Sequence, residues 1–286
     1  MANLKEVRTR IASVSSTQQV TSAMKMVSAA KFRRAQNAIF GMRPYATQLS
    51  DIIAEIPVDE EIHTPYHTTR KVERVLLVVV ASNKGLCGAF NANVLKAATS
   101  RIDQYADKQV DIITLGKRAT EQFAKRGLLR ASYDELLDNP TFDAVAALAD
   151  TIMSDFCNKR YDRVEIIYNL FKNSLTQILT NEQFLPVAPA NAKPDKNTTH
   201  ADYLFEPSKE DILRTMVPLS LRSQFYRIIL DSVASEHGAR MTAMQKATDN
   251  ASELLKELRI SYNKARQASI TNEIIEIVSG SEALNN

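Results

Sequence analysis

The chain has 286 residues, 44% of them hydrophobic, enough for a sizeable core and inconsistent with a disordered tail. Seven glycines, no tryptophan and 7% aromatic residues are unusual for a compact enzyme and favour long helices over tight turns. The net charge of +3 hides an asymmetry: among the first fifty residues, Lys5, Arg8, Arg10, Lys25, Lys31, Arg33, Arg34 and Arg43 stand against Glu6 alone, leaving the remainder mildly acidic. Such a basic segment points to an acidic partner surface or to nucleic acid.

The first segment contains no glycine or proline through residue 40. Leu4, Val7, Ile11, Val14, Gln18 and Thr21 recur at alternating spacings of three and four, and the register then drifts to Val20, Met24 and Val27. A 3.5-residue repeat predicts a helix wrapped around another in a left-handed supercoil. Pro44 is expected to kink or divide that helix, and the pattern resumes at Leu49, Ile52 and Ile56. Pro57 and Pro65 close the segment. His63 and His67 have a helical ligand spacing, but Pro65 between them argues against a helix there.

The middle reads as α/β. Residues 74–81 (RVLLVVVA), 110–115 (VDIITL) and 163–168 (RVEIIY) are β-branched runs suited to buried strands, and residues 174–185 could add one or two more. Between them, residues 91–104, 117–125 and 142–158 have helical periods. Strand and helix alternate, which predicts a small sheet domain. The Pro- and Asn-rich residues 188–199 read as a surface loop.

In the last segment, His237, Met241, Met244, Thr248, Ala251, Leu255, Leu258, Tyr262, Ala265 and Ser269 alternate four and three over more than four heptads. A continuous helix over residues 209–279 would be about 105 Å long at 1.5 Å per residue, with Pro218 and Gly238 as expected bends. Beyond it, Ile270, Ile274, Ile275, Ile277 and Val278 are apolar on more than one face, so something should surround them. The expected architecture is an antiparallel left-handed coiled coil of residues 1–57 and 208–286. A Rossmann-like α/β domain (72–187) is inserted, and a surface loop and foot occupy 188–207.

Chemical motifs are sparse. The segment 82–88 (SNKGLCG) follows the first strand and precedes a helix, where doubly wound folds bind phosphates. It lacks the full G-x-G-x-x-G pattern, and a tight structural turn is the favoured reading. No G-x-S-x-G or H-E-x-x-H occurs, and Cys87 and Cys157 lie outside any C-x-x-C pair. Residues 1–14 are amphipathic and unlike a secretory signal. The longest apolar run, residues 75–81, is far short of the roughly 20 residues that span a bilayer. These features predict a soluble protein of a reducing compartment, with a mechanical or recognition role, no metal and no cofactor.

Three stretches carry a resemblance: residues 11–36 (IASVSSTQQVTSAMKMVSAAKFRRAQ), 82–91 (SNKGLCGAFN), and above all 239–251 (ARMTAMQKATDNA) with 262–280 (YNKARQASITNEIIEIVSG). With these the chain resembles, over essentially its whole length, the gamma-subunit family of the rotary F-type ATP synthase in its bacterial form. No transit peptide is apparent, and the cysteine-bearing insertion of chloroplast forms is missing, so thiol-based redox control is not expected.

The resemblance implies a rotating central shaft inside a ring of alpha and beta subunits, with epsilon and the membrane c-ring at the foot. It couples proton flow to ATP synthesis or hydrolysis in beta, with no chemistry of its own. The complex is expected at the cytoplasmic face of the bacterial inner membrane, with this chain peripheral. By position, Met24, Lys25 and Arg240 match the neck that meets an acidic segment of beta, where a glutamate at position 25 or 240 need not unfold the shaft. Arg266 and Gln267 match the pair that hydrogen-bonds a beta loop. Thr271 and Glu273 continue the tip, and Ile274, Ile277 and Val278 lie in the apolar bearing. Tyr203 and Glu206 match the foot facing the c-ring.

Two rival readings predict different behaviour. A nucleotide-binding α/β enzyme with a coiled-coil arm would bind ATP or NAD alone. A nucleic-acid-binding coiled coil would show affinity falling steeply with salt, but the sequence offers no interleaved aromatics for base stacking.

Overall fold

The computed structural model describes residues 4–55, 64–174, 176–187 and 208–284. Two helices dominate: α1 (Leu4–Glu55) and α5 (Lys209–Leu284). Between them run β1 (Arg74–Val80), α2 (Phe90–Gln104), β2 (Gln109–Leu115), α3 (Lys117–Ala124), β3 (Leu129–Ser132), α4 (Phe142–Cys157), β4 (Arg163–Phe171) and β5 (Gln177–Leu185). Short 3-10 turns occupy Pro65–His67 and Asp134–Leu137. The chain falls into two compact units, one of residues 4–28 with 241–284 and the other Ala29–Arg240, so both long helices belong to both units.

In the smaller unit the helices pair antiparallel. Gln18 Nε2 donates to Ser252 Oγ (2.7 Å) and Thr248 Oγ1 to Thr21 Oγ1 (2.8 Å), so ascending positions on α1 meet descending ones on α5. Val7, Thr21, Ser28, Met244, Ala251 and Leu255 are buried along the seam. The expected drift to Val20 and Val27 does not occur: both are exposed, at 54% and 59%. The seam keeps Thr21 and Ser28 because their hydroxyls bond the helix itself, Thr21 to Gln18 O and Ser28 to Met24 O. Small polar residues there allow close backbone approach without an unpaired polar group. Pro44 does not divide α1, and α5 runs unbroken through Pro218 and Gly238. Each proline forfeits one backbone hydrogen bond, and the remaining helix tolerates that loss.

In the larger unit the sheet order is β3-β2-β1-β4-β5. The first four strands are parallel and β5 is antiparallel to β4. β1 is central, so both of its faces are buried and it reads as an unbroken apolar run. Val75, Leu77 and Val79 pack with Val94 and Ala98 of α2 and Ala119 and Phe123 of α3. Leu76, Val78 and Val80 pack with α4 and with Leu213, Val217, Leu221, Phe225, Ile228 and Val233 of α5. Spacings of three to five residues on α5 give that helix its sheet-facing stripe.

Polar ties fix the sheet's outer edge. Tyr168 donates to Glu182 (2.6 Å), which also accepts from Gln224 of α5 (2.6 Å). Glu165, 2% exposed, accepts from Arg101, Tyr105 and Asn181. Burial alone would raise its carboxyl, but these donors hold it below the usual carboxylate range.

The four-residue β3 has no β-branched residue and a register shift beside it, so sequence patterning gave no sign of it. At the end of β2, Gly116 adopts φ 108°, and a side chain there would lie 2.8 Å from the Ala81 carbonyl. Only glycine lets β2 turn into α3 this close to the end of β1.

Candidate functional site

The loop from Ser82 to Gly88 leaves the C-terminal end of β1 in the position where a doubly wound fold would hold a ligand. Its interior is built from side-chain ties. Ser82 N–H donates to Asn91 Oδ1 (3.0 Å), the Ser82 hydroxyl donates to Lys84 O (2.7 Å), and Asn91 Nδ2 donates to Cys87 Sγ (3.2 Å). Cys87 is 1% exposed as a result. Asn83 reaches the next loop, donating to Asp134 O (2.9 Å) and accepting from Lys117 N–H (3.1 Å).

The carbonyl oxygens of Lys84 and Gly85 in this loop are engaged by the chain's own Arg240. Arg240 Nη2 donates to Lys84 O (2.8 Å) and Gly85 O (3.3 Å), and Nε also donates to Gly85 O (3.3 Å). Its Nη1 bonds Glu236 one helical turn earlier (2.5 Å) and lies 3.4 Å from His237 Nδ1. A phosphate would meet carbonyl oxygens here and be repelled. The turn reading of this segment therefore fits the geometry, and the phosphate reading does not.

Arg240 is 6% exposed, Glu236 7% and His237 9%. Burial pushes the Glu236 carboxyl upward, opposed by the Arg240 guanidinium. Burial also pushes His237 down to about 4, helped by the positive charge of Arg240 and Lys31 and opposed by Asp138. His237 is thus neutral at pH 7, and its Nδ1 can accept from Arg240.

That neutral ring gives a pH-dependent stability. Unfolded His237 takes a proton near 6.5, and folded His237 only near 4. Between those values the unfolded chain holds more protons, so stability is full above pH 6.5 and falls toward pH 4 by up to about 3 kcal/mol. Glu236, with its raised carboxyl, works in the opposite direction, so the test is a difference. The thermal midpoint of the parent should drop more steeply from pH 6.5 to 4.5 than that of His237→Gln, and equal slopes would rule the effect out.

The two glutamate substitutions expected to spare the fold now separate. Lys25 is half-buried on α1 beside Met24, also half-buried. Arg240 is an internal strut, and a carboxylate in its place would face Glu236 and two carbonyl oxygens. The spacing Glu236-x-x-x-Arg240 is visible in sequence as an ordinary helical pair. Only the fold shows that it is buried against the loop. Leu86, which sequence reasoning missed, sits at the loop tip with φ 63° and 64% exposure.

The far part of α5 is different in character. Ala265 and Ser269 are half-buried, while Arg266 and Gln267 are exposed, with no side-chain partner among the described residues. Thr271 donates to Gln267 O (2.9 Å), and Glu273 accepts weakly from Ser269 (3.5 Å). Ile274, Ile277 and Val278 are 55%, 71% and 53% exposed, and Ile270 and Ile275 are also exposed. These exposed apolar side chains are spread over several helix faces. Tyr203 and Glu206 lie outside the described residues. Among the described residues no helix is long and apolar enough to cross a membrane. None of their His, Cys, Asp and Glu groups is placed to hold a metal ion.

Comparison with known proteins places these surfaces in a family. A family profile described as ATP synthase matches residues 3–284. The chain is 54% identical to the ATP synthase gamma chain of Flavobacterium johnsoniae over 287 residues, covering all of both chains. It is 43% identical to that of Chlorobium phaeobacteroides, covering 99% of each. Among solved structures it is similar to a chain of the Euglena gracilis mitochondrial ATP synthase OSCP/F1/c-ring, with TM-score 0.68 and 18% identity, covering 98% of this chain and 94% of that one. A chain of the Tetrahymena thermophila mitochondrial ATP synthase central stalk and c-ring gives TM-score 0.61 at 24% identity, covering 80% of this chain and 99% of that one.

Proposed function

The chain belongs to the ATP synthase gamma-chain family, and from that premise we propose that it is the rotating shaft of a proton-driven ATP synthase. The full-length identity to bacterial gamma chains carries this reading. The exposed apolar end of α5 supports it, because an uncovered helix end rich in isoleucine suits a greasy bearing inside a ring of other subunits.

In this reading the antiparallel pair of α1 and α5 enters the alpha–beta ring. Met24 and Lys25 lie at the neck, Arg266, Gln267, Thr271 and Glu273 meet beta near the tip, and Ile274, Ile277 and Val278 turn in the bearing. The α/β domain and the segment with Tyr203 and Glu206 face epsilon and the c-ring, at the cytoplasmic face of the inner membrane. The shaft's unequal faces drive each beta subunit through its nucleotide states as it turns. This chain contributes no catalytic group, a role in keeping with the Arg240-held loop after β1.

The test is reconstitution. Purified chain alone should hydrolyse no ATP, and mixed with alpha and beta it should enter a stable complex with rotation-coupled hydrolysis. Turnover by the isolated chain, or failure to assemble with alpha and beta, would overturn the proposal.

A further inference from the structure

We infer that Arg240 is a positioning residue that acts through the loop after β1, holding Leu86 out as an apolar knob, and does not itself reach a partner. The inference rests on the shaft reading for its functional consequence, but its geometry lies wholly within the larger unit.

Two observations meet at this loop. The first is strain at Leu86: a non-glycine residue at φ 63° is disfavoured by the contact of its Cβ with the neighbouring carbonyl. Leu86 gains no burial in return, since it is 64% exposed. Strain of this kind persists only where surrounding contacts over-determine it. The second observation is what does so. The carbonyls of the two residues immediately before Leu86, Lys84 and Gly85, are both gripped by the Arg240 fork. Ser82 holds Lys84 O from the other side, and the buried Cys87 thiol anchors the residue after Leu86 through Asn91.

The guanidinium suits this task in a way that lysine does not. One face of its fork takes two adjacent carbonyls while Nη1 reaches Glu236, which fixes the plane of the group. Every polar atom of Arg240 is thereby used inside the chain, and at 6% exposure it presents no free donor to another subunit. Its influence outward passes through the loop, which carries exposed Lys84 and Leu86 and is met at Asn83 and Ser82 by the backbone of the exposed Lys117 and Arg118. That combination fits an apolar depression with a carboxylate rim.

Cys87 supplies a reporter that a merely structural account of Arg240 would not move selectively. In a Cys157→Ser background, which removes the exposed thiol, maleimide labelling of Cys87 measures opening of the loop alone. Arg240→Gln should raise that rate by about tenfold or more, the scale of losing one charge-assisted hydrogen bond. Arg240→Lys should fall between it and the parent, with cooperative melting preserved in both. An unchanged rate overturns the inference. Should Arg240→Gln fail to fold, amide exchange of residues 83–88 in Arg240→Lys gives the same answer.

The functional arm is a double-mutant cycle in the assembled complex, read as protons pumped per ATP hydrolysed. Leu86→Gly removes the knob and accepts the left-handed backbone without strain. If Arg240 acts through Leu86, the double variant Arg240→Gln with Leu86→Gly is no worse than the more impaired single variant. Defects that multiply mean Arg240 works independently, and sink the inference. Failure of even the parent chain to assemble would instead refute the shaft reading, while Cys87 labelling still decides the positioning role.

Discussion

Arg240→Glu should destabilise the larger unit by about 3–5 kcal/mol, the scale seen when one partner of a buried ion pair is lost. Here the loss is compounded. The new carboxylate would lie beside Glu236, whose own carboxyl is already pushed upward by burial, and before the carbonyls of Lys84 and Gly85. Four groups of negative character would then converge in a pocket that excludes water. A deficit of that size is a large part of the roughly 5–15 kcal/mol that holds a typical domain together.

Lys25→Glu provides the contrast, because its half-exposed position can rehydrate a new charge and should cost within about 0.5 kcal/mol. Urea unfolding of both variants, followed by far-UV circular dichroism, checks the pair. A native-like midpoint for Arg240→Glu would show that the Arg240 contacts are dispensable to folding.

The difference between those two positions shows what was legible in the sequence. Both read as basic residues on long helices, matched to the same neck, and nothing in a heptad pattern says which has turned inward. The pattern did reveal the long helices, because hydrophobic spacing is set by the helix itself. It also gave β1, β2 and β4, whose burial on both faces demands continuous β-branched runs. It failed where the structure depends on contacts distant in the chain. β3 is too short to carry a period, and beyond Thr21, which the heptad spacing places on the seam, the buried side continues through Ser28 and not through the valines at 20 and 27. The Arg240–loop contact joins residues 155 and 156 positions apart. The S-N-K-G-L-C-G segment reads from sequence as a turn, but the arginine that holds two of its carbonyls lies on another element.

The tip of α5 is the opposite case, where exposure itself carries the argument. Arg266 and Gln267 follow the half-buried Ala265, and their side chains point to solvent. Arginine brings five N–H donors and glutamine two, none of them committed to another side chain among the described residues. Because Thr271 and Ser269 satisfy their hydrogen bonds with neighbours one turn away, the backbone here does not depend on either side chain. Arg266→Ala with Gln267→Ala should therefore leave helicity and assembly with alpha and beta intact, since alanine is the best helix former. Charge-assisted hydrogen bonds to a beta loop are worth roughly 1.5–3 kcal/mol each. Losing about 1.4 kcal/mol of that from the slowest rotary step would slow ATP turnover about tenfold. The expected result is an unchanged far-UV spectrum and subunit composition, with steady-state hydrolysis in the assembled complex down by that factor. Full turnover in the double variant would mean that these two side chains only solvate a helix face, and that any grip on beta comes from the isoleucines beyond them.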